Sequence, residues 1–240
     1  MVITAALVGM TMANGIAKGP EVKLGNGSAY AWVRMRDGRA EGIGISMTKG
    51  SLEGLPKSDK IDTAFETVLV LPKEAKGMPF DHIGIDWNPA GHVPIGIYNT
   101  PHFDFHFYTV TAKERDVMTH ENNGIAKFHN KPADGFIPEG FFMAPESEVP
   151  RMGAHWIHPK SPELNGGKFT ATMIYGSYDG KVTFLEPMVA YSFLKEGKSV
   201  REPIAQPAQV AWTGKNFPTE FSLSHDSGTI MIELGKATKR

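Results

Sequence analysis

In the segment Pro101–Tyr108, Pro-His-Phe-Asp-Phe-His-Phe-Tyr, side chains able to bind a metal or move a proton alternate with phenylalanines. Successive side chains of a β-strand point to opposite faces. The alternation therefore places His102, Asp104, His106 and Tyr108 on one face and Phe103, Phe105 and Phe107 on the other. The aromatic face is a packing surface, each buried phenylalanine contributing roughly 1.5–3 kcal/mol. The polar face needs partners, because each buried polar group left unpaired costs about 1–3 kcal/mol. A polar cavity or a bound metal supplies them. The alternative is a solvated or hydrogen-bonded face with a structural His–Asp contact.

Three other segments bear on that choice. His155 stands among apolar neighbours in Met152-Gly-Ala-His-Trp156, and Glu186 interrupts the apolar run Phe184-Leu-Glu-Pro-Met188. A lone charge there is expensive and calls for an arginine, a histidine or a metal. His92 follows the turn Asn88-Pro-Ala-Gly91, whereas His120 and His158 sit beside polar, loop-like residues and carry less weight. The chain has no cysteine, so any metal must use His, Asp and Glu, ligands that suit zinc, iron, manganese or copper. The expected metal ligands are His102, His106, His155 and Glu186, with Asp104, Tyr108 and His92 as catalytic groups or as partners that orient the ligands. Geometry limits this set. Strand residues two apart are separated by about 6.6 Å and four apart by about 13 Å. His102 and His106 share one ion only if the strand bulges near Pro101; otherwise Asp104 replaces one of them.

The elements that must position these groups are short. Asp37-Gly38 is a hairpin signal between strands Ser28–Arg36 and Ala40–Met47. Further strands are expected at 63–71, 82–87, 168–175, 181–188, 209–212 and 229–234, with Tyr178-Asp-Gly180 as a second hairpin turn. Thr111 and Glu114 form a capping box that predicts one helix over about 112–119. Residues 121–150 read as a long loop region. The expectation is a mainly β chain forming an antiparallel β-barrel, with a β-sandwich as the alternative and one short-to-medium helix.

The 240 residues suffice for one sizeable core, and 25 basic against 26 acidic side chains give a formal charge of -1. That balance offers no electrostatic basis for nucleic acid or an anionic membrane as partner. Residues 2–12 are apolar and are followed by Gly15-Ile-Ala17, like the core and cleavage site of a signal peptide, but no Lys or Arg precedes them. The run is too short to span a bilayer. The reading divides the chain into a leader or disordered arm, 1–17, and a single barrel domain, 18–240. It places the protein in the periplasm or outside the cell, with the cytoplasm as the alternative.

Trp87-Asn-Pro-Ala-Gly-His92, Tyr98 and Pro101–Tyr108, with Met152–Trp156, Ile174–Gly180 and Phe184–Met188, resemble a bacterial family of β-rich, often exported proteins described as a domain of unknown function. The resemblance covers roughly residues 28–235. It implies a histidine-rich site built from His102, His106, His155 and Glu186, and it supplies no reaction. Two readings of function remain. In the first, a divalent metal, zinc before iron or manganese, supports hydrolysis of a small molecule; metal oxygenase chemistry ranks below it. In the second, an exported module binds a small molecule or a metal without turnover, its pocket lined by Trp87, Tyr98, Trp156 and Tyr175. A homo-oligomer is compatible with either.

Overall fold

A computed structural model describes residues 13–240. The chain lays down β1 (Gly15–Lys18), β2 (Val22–Leu24), β3 (Gly27–Arg36) and β4 (Arg39–Thr48) in a first sheet. It then builds a second sheet from β5 (Phe65–Val70), β6 (His82–Asn88), β7 (His102–Tyr108), β8 (Phe142–Val149), β9 (Gly153–Ile157), β10 (Ala171–Tyr178) and β11 (Lys181–Ala190). It returns to the first sheet with β12 (Val200–Pro203), β14 (Glu220–Asp226) and β15 (Thr229–Gly235), while β13 (Asn216–Phe217) pairs with β16 (Thr238–Lys239) in a small ribbon. The pairings are antiparallel. The order β1-β3-β4-β15-β14-β12 in the first sheet and β5-β6-β7-β11-β10-β9-β8 in the second leaves both sheets open-edged.

The architecture is therefore sandwich-like, and the expected barrel is corrected. No strand joins the edges of the two sheets among the described residues. The helix expectation changes as well. Three short α-helices occur among the described residues: α1 (Ala112–Asp116), α2 (Gly124–His129) and α3 (Tyr191–Lys195). The Thr111–Glu114 capping box is present, but α1 stops after five residues, where the Met118 amide bonds back to the Arg115 carbonyl and Met118 turns into the protein. Helices this short are held by packing rather than by propensity. The region 121–150 contains α2 and β8, and 209–212 forms no strand. The apolar run 2–12 lies outside the described residues. Residues 15–18 form β1 on the edge of the first sheet, with Ala17 buried, so the expected boundary after residue 17 falls inside a strand.

The main core lies between the sheets. Phe103, Phe105 and Phe107 of β7, with Ile83 and Ile85 of β6 and Leu185 and Val189 of β11, pack with Ile43, Ile45, Ile230, Ile232 and Leu234 from the first sheet. The opposite face of the second sheet is also buried, beneath its own connections. Val110, Met118 and Phe128 cover Tyr108 and Phe184, while Tyr98 and Phe169 cover Met188 and Ala190. The polar side of β7 thus faces a second, buried and more polar layer rather than bulk solvent.

Candidate metal centre

The strand register collects the polar side chains. β7 lies between β6 and β11, with Asp86 opposite Asp104, Asn88 opposite His102 and Gly84 opposite His106. On the other side, the pairs Leu185–Phe107 and Met188–Asp104 set Glu186 opposite His106. Gly176 of β10 stands between Phe184 and His155 of β9. A Cβ on Gly176 would fall 2.0 Å from the Phe184 ring, so the glycine makes room for that ring beneath the site.

Two groups form on this face, and within each the ligand atoms lie within 4.8 Å of one another: His106, His155 and Glu186, and His92, His102 and Asp104. In the first, Glu186 Oε2 is 3.4 Å from His106 Nε2 and 3.7 Å from His155 Nε2. In the second, Asp104 Oδ1 is 3.2 Å from His102 Nε2, and Oδ2 is 3.5 Å from His92 Nε2. Charge-assisted N–H···O bonds are typically about 2.7–2.9 Å. Two ligands about 2.0–2.1 Å from a tetrahedral ion lie about 3.3–3.5 Å from each other. The observed spacings, 3.2–3.7 Å, lie around the second figure and beyond the first. His106 Nε2, Glu186 Oε2, His102 Nε2 and Asp104 Oδ1 are buried and have no hydrogen-bond partner.

The remaining ring nitrogens set the tautomers. His92 Nδ1 donates to the Val93 carbonyl at 2.7 Å, His102 Nδ1 to the Thr100 carbonyl at 2.7 Å and His155 Nδ1 to the Ser147 carbonyl at 2.8 Å. Since a carbonyl only accepts, each Nδ1 carries a proton, and Nε2 is the nitrogen turned toward the carboxylate, free to hold either a second proton or a cation. His106 Nδ1 lies 2.9 Å from Asp86 Oδ2, but off the hydrogen-bonding direction. A carboxylate or carbonyl behind the ring is the usual companion of a metal-binding histidine. His82, on the same face, shows the contrast. Its Nδ1 meets Asp81 at 2.8 Å and its Nε2 meets Arg115 Nη1 at 3.1 Å, so no lone pair is left over.

The electrostatics follow from burial and neighbouring charge. Burial opposes a charge on His106, but Glu186 and Asp86 prevail and hold its pKa well above the usual value. Burial also opposes a charge on His92, yet the Asp104 contact pushes it up to about 9. Burial lowers His155, with Glu186 opposing. Asp104 is held well below the usual carboxylate range, because His102 and His92 overcome its burial. Asp86 is raised by its burial. On His92 and His106 the neighbouring carboxylates therefore favour the protonated ring, so a cation binding there competes with a proton.

The structure divides the expected ligand set. It brings His106, His155 and Glu186 together but groups His102 with His92 and Asp104. β7 is unbulged against β6, so its alternate residues remain too far apart to share one ion. Asp104, expected as a catalytic or orienting group, faces two imidazoles directly, as does Glu186. Tyr108 stacks parallel to His106 with ring centroids 5.3 Å apart, its buried hydroxyl unpartnered. Of the four residues expected to line the pocket, only Tyr98 adjoins the site, 5.8 Å from the His92 ring. Trp87, Trp156 and Tyr175 point to the other face of the sheet and belong to the main core. Trp87 also borders a surface cleft with Pro56, Pro101 and Tyr191.

Asp86, Asn88, Glu66 and Arg115 were not among the expected site residues. Asp86 carries the same signal as Glu186, a carboxylate inside an apolar strand (Ile83-Gly-Ile-Asp-Trp87). Arg115 carries no such signal. It is buried, packs 3.8 Å over the Tyr108 ring and donates to Glu66 at 2.5 Å and to the Arg151 carbonyl at 2.8 Å.

Residues 36–87 match a family model described as TTHB210-like, hypothetical protein TTHB210. That segment carries all of β4 and β5 and most of β6, including Glu66, His82 and Asp86, and ends before β7. No curated protein and no solved structure matches this chain.

Proposed function

We propose that this protein binds a divalent metal ion through His106 Nε2, His155 Nε2 and a Glu186 carboxylate oxygen. One observation carries the reading: His106 Nε2 and Glu186 Oε2 are buried, unpartnered and 3.4 Å apart, at the spacing of ligands on one ion. Imidazole and carboxylate donors make zinc the leading cation, with iron or manganese as alternatives. Asp86 behind His106 and the Ser147 carbonyl behind His155 would orient the two rings. The test is elemental analysis of zinc-loaded, dialysed protein. The wild type should hold zinc that His155→Ala loses; unchanged zinc content in that variant would reject the centre.

An enzymatic role is the second reading. Three protein ligands leave one tetrahedral position open, as in catalytic zinc sites. His155, whose side chain is 15% exposed, is the most accessible of the three ligands. A zinc ion there would lower the pKa of bound water to about 7 and polarise a carbonyl, chemistry suited to hydrolysis of a small molecule. Tyr108, its pKa raised by burial, stays a phenol and can donate a proton or a hydrogen bond. The test is zinc-dependent cleavage of a simple aryl ester. A rate above background that His155→Ala abolishes supports turnover; equal rates in the two proteins leave a metal-binding protein without catalysis.

A further inference from the structure

The structure assigns a second divalent-cation site, independent of the first, to His92 Nε2, His102 Nε2 and the Asp104 carboxylate, and makes it the exchangeable one. The site is built from both ends. His102 is fully buried and its Nε2 has no hydrogen-bond partner, nor has Asp104 Oδ1, 3.2 Å away. Asn88 Nδ2 donates to Asp104 Oδ2 at 2.7 Å and fixes the carboxylate plane. The third ligand arrives on the connection between β6 and β7. Gly91 has φ +72, and a Cβ there would come within 2.1 Å of the Tyr98 carbonyl, so the glycine allows the loop to fold back and present His92. The His92 amide then donates to that carbonyl at 3.2 Å, and the Val93 amide donates to Asp62 at 3.2 Å.

Exchangeability follows from position and charge. His92 is the most exposed of the six ligand residues, with 26% of its side chain accessible, against 1% for His106 and Glu186 and 15% for His155. An ion can therefore reach or leave the second site by displacement of a loop histidine, without disturbing a strand. The first group has two carboxylates against its cation, Glu186 and the Asp86 behind His106; the second has Asp104 backed by the neutral Asn88 amide. A dication is better neutralised in the first site, so the second should hold its ion more weakly. The donor set favours borderline cations such as zinc or cobalt over calcium or magnesium, which prefer all-oxygen coordination.

The experiment uses the full chain and zinc. After saturation and brief dialysis, elemental analysis should find two ions per chain in the wild type, and one in each of His92→Ala, His92→Gln and His155→Ala. Against a chelator, wild-type protein should release one ion at least tenfold faster than the other, and both His92 variants should lack the fast phase. Two ions retained in the His92 variants would overturn the second site. So would a single wild-type ion lost in His155→Ala but not in the His92 variants, which would leave the first site standing. One ion lost only in the His92 variants would uphold the second site and reject the first. Two ions released at the same rate would overturn the claim of exchange, and no bound zinc would overturn both sites.

Discussion

Glu186 stands across from His106 on the neighbouring strand, its Oε2 3.4 Å from His106 Nε2, both side chains 1% exposed and neither atom hydrogen-bonded. A metal that binds only the folded chain stabilises it by mass action, about 2.7 kcal/mol per site at a hundredfold excess over Kd. For a chain of this size that is a rise of about 5–10 °C in unfolding midpoint. In a His92→Ala background, which disables the neighbouring group, zinc should still raise the midpoint. Adding Glu186→Gln should abolish the rise, because the amide removes the charge the cation needs. Differential scanning fluorimetry with and without zinc measures it, and a persistent rise in the double variant would exclude Glu186 as a ligand.

β7 has a different chemistry on each face, and truncation should separate them. Phe105 is fully buried between the sheets, so Phe105→Ala should destabilise metal-free protein by about 3–5 kcal/mol. Asp104→Asn preserves shape and packing, should cost less stability, and should remove one zinc ion. Urea denaturation paired with zinc analysis distinguishes the two effects; similar small losses of stability at both positions would contradict the division.

That division was legible in the sequence because it depends on covalent geometry: Phe103 and His102 cannot share a strand face. The same rule places Trp156 away from His155, its neighbour in β9, and so removes it from the pocket without any structure. Spacing also indicated that His102 and His106 would not meet on one ion unless the strand bulged. It could not supply the new partner of His102. His92 arrives through a loop closure whose path depends on Gly91 and the Tyr98 carbonyl. Nor could it place Glu186 across from His106, which is a matter of register between strands nearly eighty residues apart. Barrel and sandwich share the same short alternating strands and differ only in whether sheet edges meet.

The metal-free site should respond to pH in a set direction. The folded-state pKa of His92 lies at about 9, above the 6.5 of an unperturbed histidine, despite an opposing burial effect. Its contribution to stability is complete below about pH 6.5 and is lost as pH rises through about 9. Zinc affinity should move the other way, since the cation competes with that proton. With chelator present, wild-type stability should fall from pH 6.5 to 9 more steeply than that of His92→Ala. Zinc titration at pH 7 should release about one proton from His92, detectable by calorimetry in buffers of different ionisation enthalpy. Parallel stability profiles in the two proteins would show that His92 is not charged in the fold.

Arg115 closes the far end of the polar layer. Its guanidinium packs over Tyr108 and directs separate nitrogens to Glu66, His82 and the Arg151 carbonyl, tying α1 to β5 and β6. Glu66 has a second cation in Arg151 at 3.0 Å, so removing Arg115 does not leave it alone. His82 would lose the donor to its Nε2, and Tyr108 would lose the charge above its ring. Removing one partner of a buried ion pair typically costs about 3–5 kcal/mol, and the Arg151 contact places Arg115→Met near 3 kcal/mol, at the low end of that range. Arg115→Lys keeps the charge but cannot reproduce three divergent N–H directions, so it should recover only part of the loss. Urea unfolding of the metal-free variants measures both. A loss below about 1 kcal/mol in Arg115→Met, the scale of a surface ion pair, would show that the arginine is a passenger in this layer rather than its anchor.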